Sequence, residues 1–140
     1  MAKYKVGVVG CGNIFPMHAV SINQLNNAEL FAVCDIKSDR AQARGEEFSV
    51  DCYTDYKEMI DKADLDVIHV CTPHFMHAPI VIDACEAGLH VLTEKPMSID
   101  FKDGERMVQA AKDNNVTLGV IFQNRYNPGS VLIKNTLESG

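Results

Sequence analysis

The sequence lacks several features that would assign the chain to other classes of protein. Its apolar runs are short, so none is expected to cross a membrane. The N-terminus enters a strand-like run at once, without the apolar stretch of a signal peptide. The net charge is −6 and there is no basic stripe, so nucleic acid is not an expected partner. No internal repeat, low-complexity tract or flexible linker interrupts the chain. The absences leave an ordinary globular domain.

Paired cysteines and a complete metal-ligand motif are also missing. The five cysteines form no Cys-x-x-Cys pair, and several lie inside strand-like runs. We therefore expect reduced, mostly buried thiols and a cytoplasmic location. His74 and His77 form a His-x-x-His pair, but no third ligand is visible nearby, and no metal site is predicted.

The sequence does contain a regular alternation of apolar runs and helical patterns. Runs such as Val67–Val70 are continuous and rich in β-branched residues, which is typical of parallel strands covered on both faces. The alternation predicts an α/β, doubly wound, three-layer fold with a mainly parallel six-stranded sheet, the Rossmann dinucleotide-binding fold. The predicted strands are 4–9, 30–34, 52–53, 66–71, 90–93 and 117–122, and the predicted helices are about 13–25, 39–49, 55–62, 75–87 and 100–114.

The first strand-to-helix turn, residues 10–15 (Gly-Cys-Gly-Asn-Ile-Phe), has the pattern of a dinucleotide-binding turn. Gly10 permits the tight turn, and Gly12 lets the backbone approach the phosphates without a Cβ in the way. The amides of the first helical turn then face the anion. Phe15 occupies the position where glycine or alanine is usual, so either the helix is displaced or the ring points along the cofactor groove. An ordinary turn is the alternative interpretation.

Asp35 follows the second predicted strand, where an acidic residue can accept hydrogen bonds from the adenosine ribose. This placement favours NAD over NADP. Lys37 and Arg40 are close enough in sequence to hold a 2′-phosphate, so NADP stays open. The alternative is that Asp35 only begins a turn.

Polar residues also follow the fourth and fifth strands, at the edge where ligands bind in such sheets. After the fourth strand, a helix-start hydrogen bond is expected for His77 and a groove-lining role for His74. Within that strand, His69 is expected to be a core residue. No role is assigned to His18 or His90.

Glu94-Lys95-Pro96 ends the fifth strand. A lysine there is usually solvated surface, but the edge position and the proline favour one that reaches the nicotinamide end of a cofactor, with Glu94 to orient it. The Lys95–Pro96 bond is a candidate cis peptide.

Taken together, these segments strongly resemble the Gfo/Idh/MocA oxidoreductases, which include glucose–fructose oxidoreductase and inositol dehydrogenase. The resemblance spans residues 4 to 128 in the family's order. The segments that carry it are residues 8–14 (Val-Val-Gly-Cys-Gly-Asn-Ile), Cys34-Asp35, Arg40-Ala41, residues 66–73 with His77, residues 87–96 (Ala-Gly-Leu-His-Val-Leu-Thr-Glu-Lys-Pro) and residues 123–128 (Gln-Asn-Arg-Tyr-Asn-Pro).

The resemblance implies a role for each matching residue. Lys95 would be the catalytic lysine that touches both substrate and nicotinamide. Glu94 would support the nicotinamide region, and Gln123 or Arg125 would lie near the mouth of the active site. The implied cofactor-binding set is Gly10, Gly12, Asn13 and Ile14 for the pyrophosphate, Asp35 for the ribose, and Thr72, Pro73 and His77 for the middle of the groove.

Family members are more than twice as long and carry a second, substrate-binding domain that also mediates oligomerisation. We therefore expect a Rossmann domain over residues 1–123, with residues 124–140 as the start of that second domain, truncated or missing here. A helical pattern over residues 130–138 fits this expectation.

The expected function of the parent protein is hydride transfer between a sugar, inositol or related polyol and NAD(P). The fragment is expected to bind cofactor with little or no turnover. A stand-alone NAD-binding regulatory domain is the alternative, although it gives no reason for Glu94-Lys95-Pro96. A methyltransferase domain shares the glycine turn but likewise needs no such segment.

Overall fold

The computed structural model describes residues 3–140 and contains one six-stranded sheet. Its strands are β1 (Tyr4–Val9), β2 (Ala28–Cys34), β3 (Asp51–Tyr53), β4 (Val67–Val70), β5 (His90–Thr93) and β6 (Leu118–Val120). The order is β3-β2-β1-β4-β5-β6, and every neighbouring pair is parallel. This order confirms the predicted doubly wound Rossmann sheet, whose switch point lies between β1 and β4.

The helices occur where the sequence predicts them, and several begin or end at recognisable signals. Asp55 and Asp100 each cap a helix, because their side chains accept hydrogen bonds from main-chain amides two or three residues further on. Gly88, at φ +81°, follows the end of another. No helix in the described part of the chain is long and apolar enough to cross a membrane. The helices are α1 (Phe15–Asn23), α2 (Ser38–Phe48), α3 (Tyr56–Lys62), α4 (His77–Glu86), α5 (Phe101–Asp113) and α6 (Pro128–Ser139).

The boundaries differ from the prediction by a few residues. β2 begins two residues early because Ala28 pairs with Tyr4 at the start of β1. Residues 74–76 form a 3-10 turn rather than the first turn of α4, and residues 123–126 form another before α6. Such short turns are common at helix ends and cannot be separated from the helix by periodicity.

Two hydrophobic cores cover opposite faces of the sheet. One core joins α1 and α2 to β1 and β2, and Phe15 and Val8 lie at its centre. The other joins α3, α4 and α5 to the opposite face, and Met107 and Ile68 are buried there. The three-layer arrangement is therefore confirmed.

One half of the first face is not covered by a helix from residues 3–140. On β4, β5 and the end of β6, the side chains of His69, Leu92 and Ile121 are only half-buried and line an open cleft beside α1. The continuous apolar runs predicted strands covered on both faces. That expectation holds for β1 and β2, whereas β4 and β5 are fully covered on the α3–α5 side only and every residue of β6 is half-buried.

Phe15 lies in the core, so its ring cannot line a groove. Its side chain is 0% exposed and packs edge-on against Phe48, with ring centroids 5.6 Å apart. The Arg44 guanidinium lies 5.3 Å from the ring centroid on the solvent side. Of the two alternatives for Phe15, the one in which the ring points along the cofactor groove is therefore wrong, because burial between α1 and α2 removes the whole ring from water.

We expect Phe15→Ala to lower the free energy of unfolding by about 3–5 kcal/mol, because it leaves a cavity in the core under α1. Urea denaturation measures the change. Met17→Ala, on the same helix but 66% exposed, is the control and should shift stability by less than about 0.5 kcal/mol. Equal effects of the two substitutions would contradict the core position of Phe15.

Candidate cofactor-binding site

Gly10 lies at the end of β1 and fits only as glycine. Its φ is +101°, and a Cβ there would lie 2.6 Å from the carbonyl oxygen of Cys71. The Gly10 amide donates to the carbonyl of Cys34, at 2.7 Å. Gly10 therefore lets the ends of β2, β1 and β4 meet, and the chain turns sharply into α1.

Gly12 has the opposite surroundings. A Cβ on Gly12 would meet nothing within 4 Å, so the space beside this turn is open. Asn13 and Ile14 follow at the surface. Ile14, the N-cap of α1, has no polar side-chain atom to cap the helix, and α2, α4 and α6 likewise begin without a side-chain cap. An uncapped helix start beside an open cradle fits a phosphate-binding turn.

Asp35 immediately follows β2, and its carboxylate holds the glycine turn. Its Oδ2 accepts from the Cys11 amide, and its Oδ1 accepts from the Lys37 amide, both at 2.9 Å. Asp35 therefore does begin a turn, as the alternative interpretation predicts. A carboxylate has further acceptor sites, so these two bonds leave capacity for ribose hydroxyls.

Cys11 is also buried beside Asp35. Burial, and then the charge on Asp35, raise the pKa of the Cys11 thiol to about 12. The thiol is therefore a packing group rather than a nucleophile.

Thr72 and Pro73 follow β4 at the same edge of the sheet. The Thr72 hydroxyl oxygen is buried and has no hydrogen-bond partner among residues 3–140. A buried hydroxyl without a partner is costly, so a group that completes this edge would relieve that cost. Pro73 is exposed next to it.

His77 differs from its expected place in the groove. Its side chain is 0% exposed, with Nδ1 at 2.8 Å from the carbonyl oxygen of Pro96 and Nε2 at 3.0 Å from that of Thr72. The imidazole therefore lies beneath the groove and does not line its surface. It ties the segment after β4 to the segment after β5 through their main chains.

Lys95 is exposed at the end of β5, and its peptide bond to Pro96 is cis, as predicted. Glu94 is expected to orient the lysine, and its Oε2 accepts from the Lys95 main-chain amide at 3.1 Å. Lys95 and Gln123, which the resemblance places at the active site, lie together. They border an open cleft of about 400 Å³ whose lining is Lys95, Pro96, Phe122, Gln123, Asn124 and Arg125.

Two histidines that the sequence leaves without a site role lie near Glu94. His18 is 6% exposed, and its Nε2 lies 3.2 Å from Oε1 of Glu94. Its Nδ1 lies 3.1 Å from Nδ1 of His69. His69 is half-buried and faces a second cleft of about 310 Å³, so the prediction of a core residue is wrong. Burial, and then the neighbouring His18, lower the pKa of His69 to about 4.

The sequence pattern around each of the two histidines indicates which face of its helix or strand the side chain occupies. His18 lies on the same helical stripe as Phe15 and Ile22, the buried side of α1, where a polar residue needs a partner. His69 alternates with the buried Ile68 and Val70, so it points to the other face of the sheet. The sequence does not say that this other face is open or that the two rings meet.

Metal binding has no support in the described residues. Among residues 3–140, no three His, Cys, Asp or Glu side chains form a group that could hold a metal ion. The His74 and His77 rings pack edge to face, 5.7 Å apart, and both His77 nitrogens already contact carbonyl oxygens.

The predicted residues therefore lie along one edge of the sheet, in the order of the strands. Asp35 follows β2, Gly10 follows β1, Thr72 follows β4 and Lys95 follows β5. Asp35 and Lys95 are separated by three strand spacings, roughly 14 Å. An elongated ligand could contact all of these positions at once, whereas a compact one could not.

Comparison with known proteins agrees with this geometry. A family model described as "Oxidoreductase family, NAD-binding Rossmann fold" matches residues 4–122. The chain is 31% identical over 137 residues to myo-inositol 2-dehydrogenase of Thermotoga maritima. Among solved structures, it matches the WlbA dehydrogenase from Bordetella pertussis, in complex with NADH and UDP-GlcNAcA, with a TM-score of 0.96 and 34% identity. It also matches scyllo-inositol dehydrogenase from Lactobacillus casei with bound NAD(H) and scyllo-inositol, with a TM-score of 0.92 and 26% identity.

The chain is shorter than these proteins. The T. maritima match covers 97% of this chain and 41% of the relative. Each of the two structural matches covers 99% of this chain and 42% of the other. The chain therefore spans about two fifths of the length of the relatives it matches.

We expect Gly12→Ala to weaken NADH binding by about tenfold or more without changing thermal stability, because the new methyl group fills open space in the cradle and meets no protein atom. Fluorescence titration and thermal unfolding measure the two effects. Gly129→Ala, where a Cβ also meets nothing, is the matched control and should leave NADH affinity unchanged. Unchanged NADH affinity in Gly12→Ala would place the cofactor elsewhere.

We expect His69 to make the protein less stable in acid. Its pKa is near 6.5 when unfolded and about 4 when folded, so the unfolded state binds more protons between these values. Stability should therefore fall as the pH drops from about 6.5 to 4, by at most roughly 1.4 kcal/mol per pH unit. Urea denaturation across this range should show a shallower fall for His69→Gln. His74→Gln, at an exposed position, should keep the wild-type slope.

Proposed function

The chain belongs to the Gfo/Idh/MocA oxidoreductase family as an NAD-binding Rossmann domain, and we propose that it serves an enzyme that oxidises a sugar, inositol or related polyol. Lys95 would be its catalytic residue within this chain. The observation that carries the proposal is the cleft bordered by Lys95 and Gln123 on the sheet edge that also holds the glycine turn.

The residues present fit NAD. Gly12 leaves a cradle that a Cβ would fill, and Asp35 keeps acceptor sites next to the turn. The bound nicotinamide would supply the hydride chemistry, while the protein binds, orients and provides charge. We assign the pyrophosphate to Gly10, Gly12, Asn13 and Ile14, the ribose to Asp35, the middle of the groove to Thr72 and Pro73, and the nicotinamide end to Glu94, Lys95 and Gln123.

Lys95 can supply positive charge where a substrate oxygen would become negative. Its side chain is exposed at the cleft, while its main chain is fixed by Glu94 and, through Pro96, by His77. An ammonium group on such a fixed backbone lowers the energy of a developing alkoxide more than a mobile surface lysine would.

The names of the relatives support the substrate class but not one substrate. The T. maritima relative is named for myo-inositol, and the B. pertussis structure contains a nucleotide sugar, UDP-GlcNAcA. Inositols and sugars both contain secondary alcohol groups on a ring. We therefore keep the class at sugars, inositols and related polyols, with NAD as cofactor and NADP as the less favoured alternative.

The domain division is part of the proposal. We assign residues 1–123 to the Rossmann domain and residues 124–140 to the start of a substrate-binding domain. In support, every residue from Phe122 to Gly140 is exposed, including Leu132, Ile133 and Leu137 on α6. Homo-oligomer formation through the second domain and a cytoplasmic location complete the proposal. The charge of −6 supports the absence of a nucleic-acid partner.

Titration of the chain with NADH, NADPH and S-adenosylmethionine tests the proposal. We expect NADH to bind best, with little or no steady-state dehydrogenase turnover on inositols or sugars. S-adenosylmethionine binding without NADH binding would overturn the family-based function. Clear turnover by residues 1–140 alone would overturn the proposal that turnover needs the second, substrate-binding domain.

Asp35→Asn tests the proposed role of Asp35 in binding the ribose. We expect NADH affinity to fall about tenfold, because the amide cannot accept all the bonds of a carboxylate. NADPH affinity should fall less, since removing the charge also removes repulsion of a 2′-phosphate. Asp39→Asn, exposed in the first turn of α2, is the control and should leave the ratio of the two affinities unchanged.

A further inference from the structure

A row of polar groups links α1 to the main chain of Lys95. His69 contacts His18 at 3.1 Å, His18 contacts Glu94 at 3.2 Å, and Glu94 accepts from the Lys95 amide at 3.1 Å. The four residues come from β4, α1 and the end of β5. Only the tertiary fold brings these segments together.

The chemistry of the row fixes the direction of its central hydrogen bond. An ionised carboxylate only accepts, so the hydrogen between His18 and Glu94 is on Nε2 of His18. The other carboxylate oxygen of Glu94 accepts from the Lys95 amide. Glu94 is therefore held at one oxygen by a side chain of α1 and holds the backbone of Lys95 with the other.

Because the Glu94 carboxylate is largely buried, it needs these hydrogen bonds. The side chains of His18 and Glu94 are 5% and 13% exposed. A carboxylate so far from water is costly unless hydrogen-bond donors replace the water it has lost. Within residues 3–140, the donors that contact the Glu94 carboxylate are the His18 ring and the Lys95 amide. Loss of the ring would free the carboxylate to turn toward the cleft and release that amide.

The position of His18 on α1 gives the row a fixed base. Phe15, Ala19 and Ile22 flank it on the same side of the helix and are 0–2% exposed in the core. α1 also begins directly after the glycine turn. One helix thus holds the phosphate-binding turn at its start and reaches the lysine segment one turn later.

We propose that His18 is a positioning residue for Lys95: it holds the Glu94 carboxylate, and this carboxylate holds the backbone of Lys95 in the orientation that the site needs. The functional meaning of that orientation rests on the proposed role of Lys95 at the nicotinamide end. The hydrogen-bonded row itself does not depend on that role.

Two substitutions of His18 separate positioning from packing. In His18→Gln, the side-chain amide reaches about as far as Nε2 and can still donate to Glu94. In His18→Asn, the shorter side chain places its amide near Nδ1, within reach of His69 but not of Glu94. Packing alone predicts similar behaviour from both variants, since each replaces the ring by a primary amide.

The test measures main-chain amide hydrogen exchange by NMR on the 140-residue chain. We expect the Lys95 amide to exchange about tenfold faster in His18→Asn than in the wild type, and at close to the wild-type rate in His18→Gln. The Lys102 amide, which donates to Asp100 at 2.8 Å in an exposed cap, is the internal control and should exchange alike in all three. Equal Lys95 exchange in the two variants would overturn the proposal.

Ligand binding separates this inference from the proposed function. NADH affinity should fall several-fold in His18→Asn and recover in His18→Gln, while ADP-ribose, which lacks nicotinamide, should bind all three proteins equally. Failure of the wild type to bind NADH would overturn the proposed function. The exchange rate of the Lys95 amide would still test the positioning role of His18. An equal loss of NADH and ADP-ribose affinity in His18→Asn would contradict an effect through Lys95.

A measurement on the wild-type protein tests the proposal even where a His18 variant does not fold. The imidazole ¹⁵N spectrum should show Nε2 of His18 protonated, and Glu94→Ala should shift that signal. An unprotonated Nε2 would overturn the proposal, because its lone pair cannot hold a carboxylate.

Discussion

The close approach of Gly10 to the main chain of Cys71 is the contact on which the site depends. At φ +101°, with a Cβ position only 2.6 Å from the Cys71 carbonyl, this residue brings the ends of β1 and β4 together at the switch point. The chain then enters α1 with its amides facing the sheet edge. Asp35 closes the turn from β2 through the Cys11 amide. Any side chain at residue 10 would force β1 away from β4 and would misplace both the turn and α1.

Beyond that turn, buried polar side chains fix the segments that follow the other strands. His77 joins the segments after β4 and β5 from the α4 side, and His18 holds Glu94 from the α1 side. Lys95 lies between the two, exposed at its ammonium but anchored at its backbone. Lysines are flexible, so a site that needs one in a fixed place gains from anchoring the chain on both sides of it.

Most of the fold, and the position of the proposed site residues at the ends of the strands, can be predicted from the sequence, for reasons that particular residues make clear. Runs such as Val67–Val70 are readable because parallel strands are covered by helices, and Lys95 is readable because strand ends mark the ligand edge. Phe15 was harder, since the fingerprint records where glycine is usual and not where a large ring can be buried. His77 was assigned to the groove surface, although its two carbonyl contacts lie beneath it.

The sequence by itself determined the alternation of strands and helices, the glycine turn and the chemical groups at the strand ends. These depend on periodicity and on neighbours within a few residues, which a linear pattern records. Only the tertiary structure decided that Phe15 is in the core, that the α1 side of β4 to β6 is left half-open, and that His18, His69 and Glu94 meet. Their contacts span 51 and 76 positions along the chain, and no local pattern encodes which face of the sheet brings such residues together.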